Sequence, residues 1–209
     1  MLGRLLPMLA VPAEPFDSPD YSFEVKWDGI RAVAAVENGG WRLWGREAAD
    51  YTGRYPELDL LCRLPAGTLV DGELVVLDPD GRPDLPGLLR RHGLTHPWGI
   101  RQARHWCAVR YVVFDLLYQA GRSLLNEPLV RRREVLVALC RRLGAPEVQF
   151  SESVVGNGTA LYAAALAWGH EGIMAKQLAS TYRAGRRSAA WRKIKPRRKG
   201  NGAAREVAS

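Results

Sequence analysis

Three groups of side chains could do chemistry together if the fold gathered them in one place. The first is a single lysine, Lys26, in the run Phe23-Glu24-Val25-Lys26-Trp27-Asp28-Gly29-Ile30-Arg31. A lysine attacks only after losing its proton. With an ordinary pKa near 10.4, that costs about 4 kcal/mol near neutral pH. Partial burial and neighbouring cations reduce the cost. The second group supplies cations. In Trp191-Arg192-Lys193-Ile194-Lys195, a strand would put Lys193 and Lys195 on one face. Two ammonium groups side by side repel unless an anion lies between them, and a triphosphate is the natural one. The third group is carboxylates and rings at strand ends: Asp71-Gly72-Glu73, Val113-Phe114-Asp115 and Glu171-Gly172-Ile173-Met174-Ala175-Lys176. Carboxylates beside a triphosphate suit Mg2+, and a ring there can stack on a nucleobase. Each group also has a plain reading: a lysine by a turn, a basic edge strand, turn acids, a core phenylalanine.

The elements that must position these groups read mostly as strands. Residues 21–26 alternate, with Tyr21, Phe23 and Val25 on one face and Ser22, Glu24 and Lys26 on the other. Asp28-Gly29 predicts a turn, Ile30 to Val36 the returning strand, and Asn38-Gly39-Gly40 a second turn before a strand ending at Trp44. Asp50 to Arg63 carries a helical stripe of Tyr55, Leu58, Leu61 and Cys62, capped by Asp50 or Thr52. Gly67 to Leu77 is expected as strand, Leu85 to His92 as a short helix and Cys107 to Leu117 as strand. Pro128 to Leu143 and Thr159 to Trp168 read as helices closed by Gly144 and Gly169, and Gly172 to Lys176 and Trp191 to Lys195 as short strands. Antiparallel groups of strands with interspersed helices predict an α+β fold.

Composition narrows the partners. The chain has 209 residues and a formal net charge of +8. Seven basic residues and one acid lie from Arg192 onward, so residues 1–191 carry only +2. A basic tail favours a polyanion such as nucleic acid. No apolar run approaches the roughly 20 residues of a membrane-spanning helix, and Pro7, Pro12 and Pro15 break the apolar start. Cys62, Cys107 and Cys140 are odd in number and far apart, which predicts buried thiols in a reducing cytoplasm. His92 and His96 fall among Gly93 and Pro97 and read as a loop, not a metal-binding helix face.

The order of the segments is more informative than any one of them. Lys26-Trp27-Asp28-Gly29 is followed by Gly45-Arg46, Asp71-Gly72-Glu73, Val113-Phe114-Asp115, Glu171 to Lys176, and Trp191 to Lys195. This order resembles the motif set of covalent nucleotidyltransferases, and most closely the ATP-dependent DNA ligases of the bacterial end-joining type. The resemblance spans roughly residues 20–196. It implies two antiparallel β-sheets flanked by helices around a nucleotide cleft, an adenylation domain over residues 1–196, and a basic tail over 197–209.

The resemblance also implies roles. Lys26 would attack the α-phosphate of ATP, form lysyl-AMP, and pass AMP to a 5′-phosphate at a nick in double-stranded DNA. Glu24 would lie by the adenine amino group, and Phe114 would stack on adenine. Arg31 and Arg46 would contact ribose or phosphate. Glu73 would bind a ribose hydroxyl or assist the metal, and Glu171 would help bind Mg2+ or Mn2+. Lys193 and Lys195 would hold the α-phosphate. Gly45 stands where the family usually has serine, and Ala184 where proline is common. The family's oligonucleotide-binding barrel has no room in Pro196 to Ser209, so a separate DNA-binding or barrel partner is expected. The alternatives are an RNA-joining or capping nucleotidyltransferase, or a non-sealing nucleic-acid-binding module.

Overall fold

The computed structural model describes residues 3–196. The expected tail therefore lies outside the described residues. Two twisted sheets face each other. One has the order β1 (Leu9–Pro12), β11 (Arg187–Ile194), β10 (Ile173–Gln177), β2 (Ser18–Val25), β9 (Ser153–Gly156). The other runs β4 (Gly40–Trp44), β3 (Ile30–Glu37), β5 (Thr68–Val75), β6 (Arg110–Gln119), β7 (Arg122–Ser123), with β8 (Val148–Phe150) also paired to β6. The helices are a 3-10 helix Pro56–Arg63, α1 (Leu85–His92), α2 (Pro97–Trp106), α3 (Leu129–Leu143) and α4 (Gly158–Ala167). The expected α+β class and paired sheets are present. The sheets are not wholly antiparallel, because β1 joins β11, and β8 joins β6, in parallel.

Period-two alternation sorts the side chains into layers. On β3, Ala32, Ala34 and Val36 enter the core formed with Tyr55, Leu58, Leu88 and Leu136 on the outer face of the second sheet. Val33 and Ala35 point inward, to meet Met8, Trp44, Tyr182 and Trp191 between the sheets. On the other sheet, Tyr21, Phe23, Ile173, Ala175 and Ile194 turn outward against Ala165, Leu161 and Tyr162 of α4. The positions left over, odd-numbered on β5 and even-numbered on β2, face the space between the sheets. They are the ones that carry charge.

Several boundaries differ from the sequence reading for identifiable reasons. The helix expected over Asp50 to Arg63 shrinks to the 3-10 helix, with Pro56 in its first turn. Before it, Asp50 Oδ1 accepts the Thr52 N–H at 2.8 Å, Thr52 Oγ1 accepts the Leu43 N–H at 2.9 Å, and Gly53 has φ of +82°. Both candidate caps thus make a turn and a tie to β4. Helix α2 falls in a stretch punctuated by Gly93, Pro97 and Gly99, which hide its short apolar stripe of Ile100, Ala103 and Trp106. It buries only Ala103, and His96, read as loop, caps it by accepting the Trp98 N–H. Trp191 is a fully buried floor residue, and its strand is not a sheet edge, because β1 flanks β11. Of the three thiols expected to be buried, Cys62 is exposed and Cys140 half-buried.

One buried ion pair joins α3 to both sheets. Arg132 donates from Nε and NH2 to the two Asp115 oxygens at 2.7 and 2.8 Å, and from NH1 to the carbonyls of Glu127 and Ser180 at 2.7 and 2.8 Å. Both side chains are fully buried. The α3 N-terminus has no side-chain cap, so the Leu129 and Val130 N–H groups take the carbonyls of Ser180 and Leu178 instead. Removing one member of such a pair leaves an uncompensated charge, a loss of about 3–5 kcal/mol. Arg132→Met should therefore lower stability to urea by about that amount. A loss below about 1 kcal/mol would show the pair to be dispensable.

Candidate active site

The charged inner-face residues line one cleft that opens to solvent. One sheet contributes Glu24, Lys26, Met174, Lys176, Arg187, Trp191 and Lys193. The other contributes Arg31, Glu73 and Phe114, and Arg46 reaches in from the loop after β4. Seven of the eight residues that the sequence assigned to catalysis or nucleotide contact are thus together. Lys195 is the exception. It does not line the cleft, is 42 % exposed, and pairs with Glu171.

Lys26 follows the last residue of β2. Its N–H donates to the Gly172 carbonyl at 3.0 Å, which fixes it beside the start of β10. Its Nζ forms an ion pair with Glu171 Oε1, while Lys195 takes Glu171 Oε2. Burial pushes the Glu171 carboxyl up, but the hydrogen bonds from Lys195 and Lys26 outweigh that and hold it below its usual range. Glu73 shows the opposite balance. Burial raises its carboxyl to about 7, against the attraction of Arg31, Lys26 and Arg46. The glycine after Lys26-Trp27-Asp28 is forced by packing: a Cβ on Gly29 would stand 2.2 Å from the Leu74 carbonyl of β5.

The other end of the cleft is aromatic. The Phe114 ring carries the Arg31 guanidinium at 4.4 Å and the Lys176 ammonium at 3.9 Å from its centroid, and Trp191 meets it edge-on. Arg31 is held by both Asp71 oxygens at 2.6 Å, and the Tyr182 hydroxyl donates to Asp71 at 2.6 Å. Glu24 is gripped from behind, by Arg133 of α3 at 2.8 Å and by Lys176. Burial lowers the Lys176 amine to about 8, with Glu24 opposing the shift. Although ion-paired, the Lys176 Nζ meets no acceptor at hydrogen-bond angles. Its donors remain available at this end of the cleft.

The sequence reading missed Arg133 and Tyr182 as parts of this site, and it gave no role to Asp71 or Lys176 although both fall in segments that it singled out. Lys176 had a signal, since it shares a β10 face with Met174. Arg133 had none, because one arginine in the run Arg131-Arg132-Arg133 on α3 looks like solvated surface. The Gly45 departure has a structural reason: a Cβ there would lie 2.3 Å from the Tyr51 hydroxyl. Tyr51 occupies the space that a larger residue would need beside Arg46. Among the described residues no cluster of three or more His, Cys, Asp or Glu is placed to hold a metal. Glu171 and Glu73 instead flank Lys26 from two sides, a donor set that suits a cation sharing its coordination with phosphate.

Residues 7–195 match the family described as ATP dependent DNA ligase domain. The chain belongs to this family. It is 34 % identical over 181 residues to the SPbeta prophage-derived DNA ligase-like protein LigB of Bacillus subtilis, covering 87 % of this chain and 63 % of that protein. It is 35 % identical over 196 residues to the multifunctional non-homologous end joining DNA repair protein LigD of Mycobacterium tuberculosis, covering 92 % of this chain and 24 % of the relative. The ligase domain of M. tuberculosis LigD superposes with a TM-score of 0.77 at 33 % identity, over 91 % of this chain and 60 % of that one. A structure of mycobacterial DNA ligase D complexed with ATP and MES gives 0.74, also at 33 % identity, over 91 % of this chain and 60 % of that one. The chain thus spans less than two thirds of the length of these relatives. The fold is that of the ligase nucleotidyltransferase domain.

The Glu73 carboxyl makes a pH test. Its folded pKa of about 7 exceeds the ordinary 4.5, so the unfolded chain gives up this proton first as pH rises. The stability it contributes is complete below about 4.5 and is lost as pH rises through about 7. Glu73→Gln cannot ionise. The stability of the wild type relative to this variant should fall by on the order of 2–3 kcal/mol between pH 5 and 8. His92 and His170, whose pKa values burial lowers, titrate in both proteins and cancel. Urea unfolding across that range checks it, and a constant difference would place Glu73 in water.

Proposed function

We propose that this chain performs the covalent nucleotide-transfer chemistry of an ATP-dependent DNA ligase, with Lys26 as nucleophile and the 5′-phosphate of nicked double-stranded DNA as acceptor of AMP. The observation that carries the reading is the convergence of Lys26, Arg31, Arg46, Glu73, Phe114 and Lys193 on one cleft from both sheets. Plain binding of nucleic acid would not need a lysine fixed at a strand end among phosphate-sized cations and an aromatic floor.

The chemistry follows from the placements. Glu24 and Lys176 set an acceptor beside a donor at the aromatic end. That pair matches the amino group and N1 of adenine, whose face would lie on Phe114. Arg46 and Lys193 would neutralise phosphate charge, the main requirement in phosphoryl transfer, while Arg31, already paired with Asp71, would contact the ribose. The Lys26 amine would attack the α-phosphorus, forming a P–N bond as the P–O bond to pyrophosphate breaks, and its proton would leave to a base or water. Triphosphate oxygens can replace Glu171 on Lys26 and Lys195. A freed Glu171, with Glu73, would hold Mg2+, which would shield phosphate charge.

In the second half of the reaction the DNA 5′-phosphate takes AMP from Lys26, and Arg46 at the rim is the residue placed to meet it. A separate barrel or DNA-binding partner would add grip on the duplex. The three free cysteines suit a reducing cytoplasm. Labelled ATP with a divalent cation should give a protein adduct that is alkali-stable and acid-labile, as a phosphoramidate is, and Lys26→Ala should give none. A folded wild type that forms no adduct with Mg2+ or Mn2+ would refute the reading.

A further inference from the structure

Helix α2 is the one described helix that the core does not account for. It buries a single residue, Ala103, and a ten-residue helix is marginal in water without packing. Its outward face is apolar as well as charged. Trp98 and Trp106 are 62 % and 64 % exposed, and nearby Leu89 of α1 is 54 % exposed. At 100° per residue, Trp98, Arg101 and His105 fall on the side opposite Ala103, Gln102 stands about 100° from it, and Trp106 is on the flank about 60° from it. All five are exposed. The stretch Leu85–Trp106 holds four arginines, three histidines and no acid. Neither folding nor the nucleotide cleft uses this surface.

Its place in the fold ties it to the cleft rim. The last residue of α1, His92, receives Arg54 on its carbonyl at 2.6 Å, shares a 2.5 Å hydrogen bond with the Tyr55 hydroxyl, and meets the Tyr51 ring edge-on at 4.6 Å. Tyr51 in turn packs on Gly45, next to Arg46. Only Gly93 to His96 separate α1 from α2, a reach of at most about 14 Å. The aromatic and basic face therefore begins a short distance from the arginine that would meet the nick phosphate.

We propose that the exposed face of α2, built from Trp98, Arg101, Gln102, His105 and Trp106, docks the duplex DNA that flanks the nick. The proposal rests on the ligase reading for the presence of DNA. Charge selects the occupant. An acid-free face repels a second copy of itself and the basic residues beyond Pro196, and it attracts phosphate. Arg101 would meet the backbone, while the two indoles would pack on sugars or wedge at a groove, as apolar side chains do on duplexes.

The test uses the full chain and a fluorescein-labelled nicked duplex. The Trp98→Ala/Trp106→Ala variant should raise the Kd at least about tenfold. Arg101→Ala should reduce the slope of log K against log salt by about 1, as for a lost phosphate contact. Both variants should keep the wild-type thermal midpoint and the yield of lysyl-AMP from ATP. Wild-type affinity and slope in both variants would overturn the proposal, as would wild type that adenylylates Lys26 yet binds no nicked duplex. So would a dimer, seen by light scattering, that the double variant dissociates without change in DNA affinity. Duplex binding that depends on this face, in a protein that forms no lysyl-AMP, would sustain the surface and sink the ligase reading alone.

Discussion

Like-charge crowding governs this structure. Six cations, Lys26, Arg31, Arg46, Lys176, Arg187 and Lys193, line a cleft with only two lining carboxylates, Glu24 and Glu73. In a partly desolvated space such a set repels itself strongly. The fold answers with carboxylates placed behind the wall. Asp71 grips Arg31, and Glu171 bridges Lys26 and Lys195. Asp71 is fixed by backbone pairing in the middle of β5, and Glu171 stands two residues before β10, next to the Gly172 carbonyl that accepts the Lys26 N–H. The arrangement suits a polyanion: a triphosphate can take the place of Glu171 on its two lysines, while Arg31 stays locked to Asp71 and keeps its plane over Phe114.

Alternation explains why the cleft lies where it does. Both sheets send one face to an outer core and one face to the shared interior, so any residue of the right parity near the strand ends joins the site. A one-residue slip of β2 would move Glu24 into the α4 core and Phe23 into the cleft. The outer cores therefore fix catalytic register: Phe23, Ile173 and Ile194 anchor one wall, and Ala32, Ala34 and Leu74 the other.

That parity was legible in the sequence, because Tyr21 to Lys26 and Trp191 to Lys195 alternate cleanly and the turns Asp28-Gly29 and Asn38-Gly39-Gly40 bound their strands. It placed Glu24, Lys26 and Lys193 correctly. Parity cannot tell how far along the cleft a residue lies, and Lys195, one residue past the end of β11, pairs with Glu171 outside the cleft lining. Nor does it reach residues that act across elements. Arg133 reaches Glu24 from a helix 109 residues along the chain, and Tyr182 reaches Asp71 across 111. Helix α2 escaped for another reason: Gly93, Pro97 and Gly99 read as loop and mask the short apolar period of Ile100, Ala103 and Trp106.

The two carboxylates beside Lys26 are in opposite electrostatic states, and the difference is instructive. Glu171 has two lysine partners and is held ionised; Glu73 is buried with its cations at a distance, and its carboxyl is pushed up to about 7. One side of Lys26 thus faces a fixed negative charge, and the other faces a group poised to gain or lose a proton near neutrality. Under the role proposed for Lys26, both properties would serve an amine that attacks phosphate. Phosphate competing for Lys26 and Lys195 weakens the first restraint. A cation brought in with the phosphates would favour ionised Glu73 on the second side, since added positive charge lowers a carboxyl pKa. On the proposed role of Lys26, substrate binding and its activation would be one electrostatic event, set by which carboxylate is tied to lysine before the nucleotide enters.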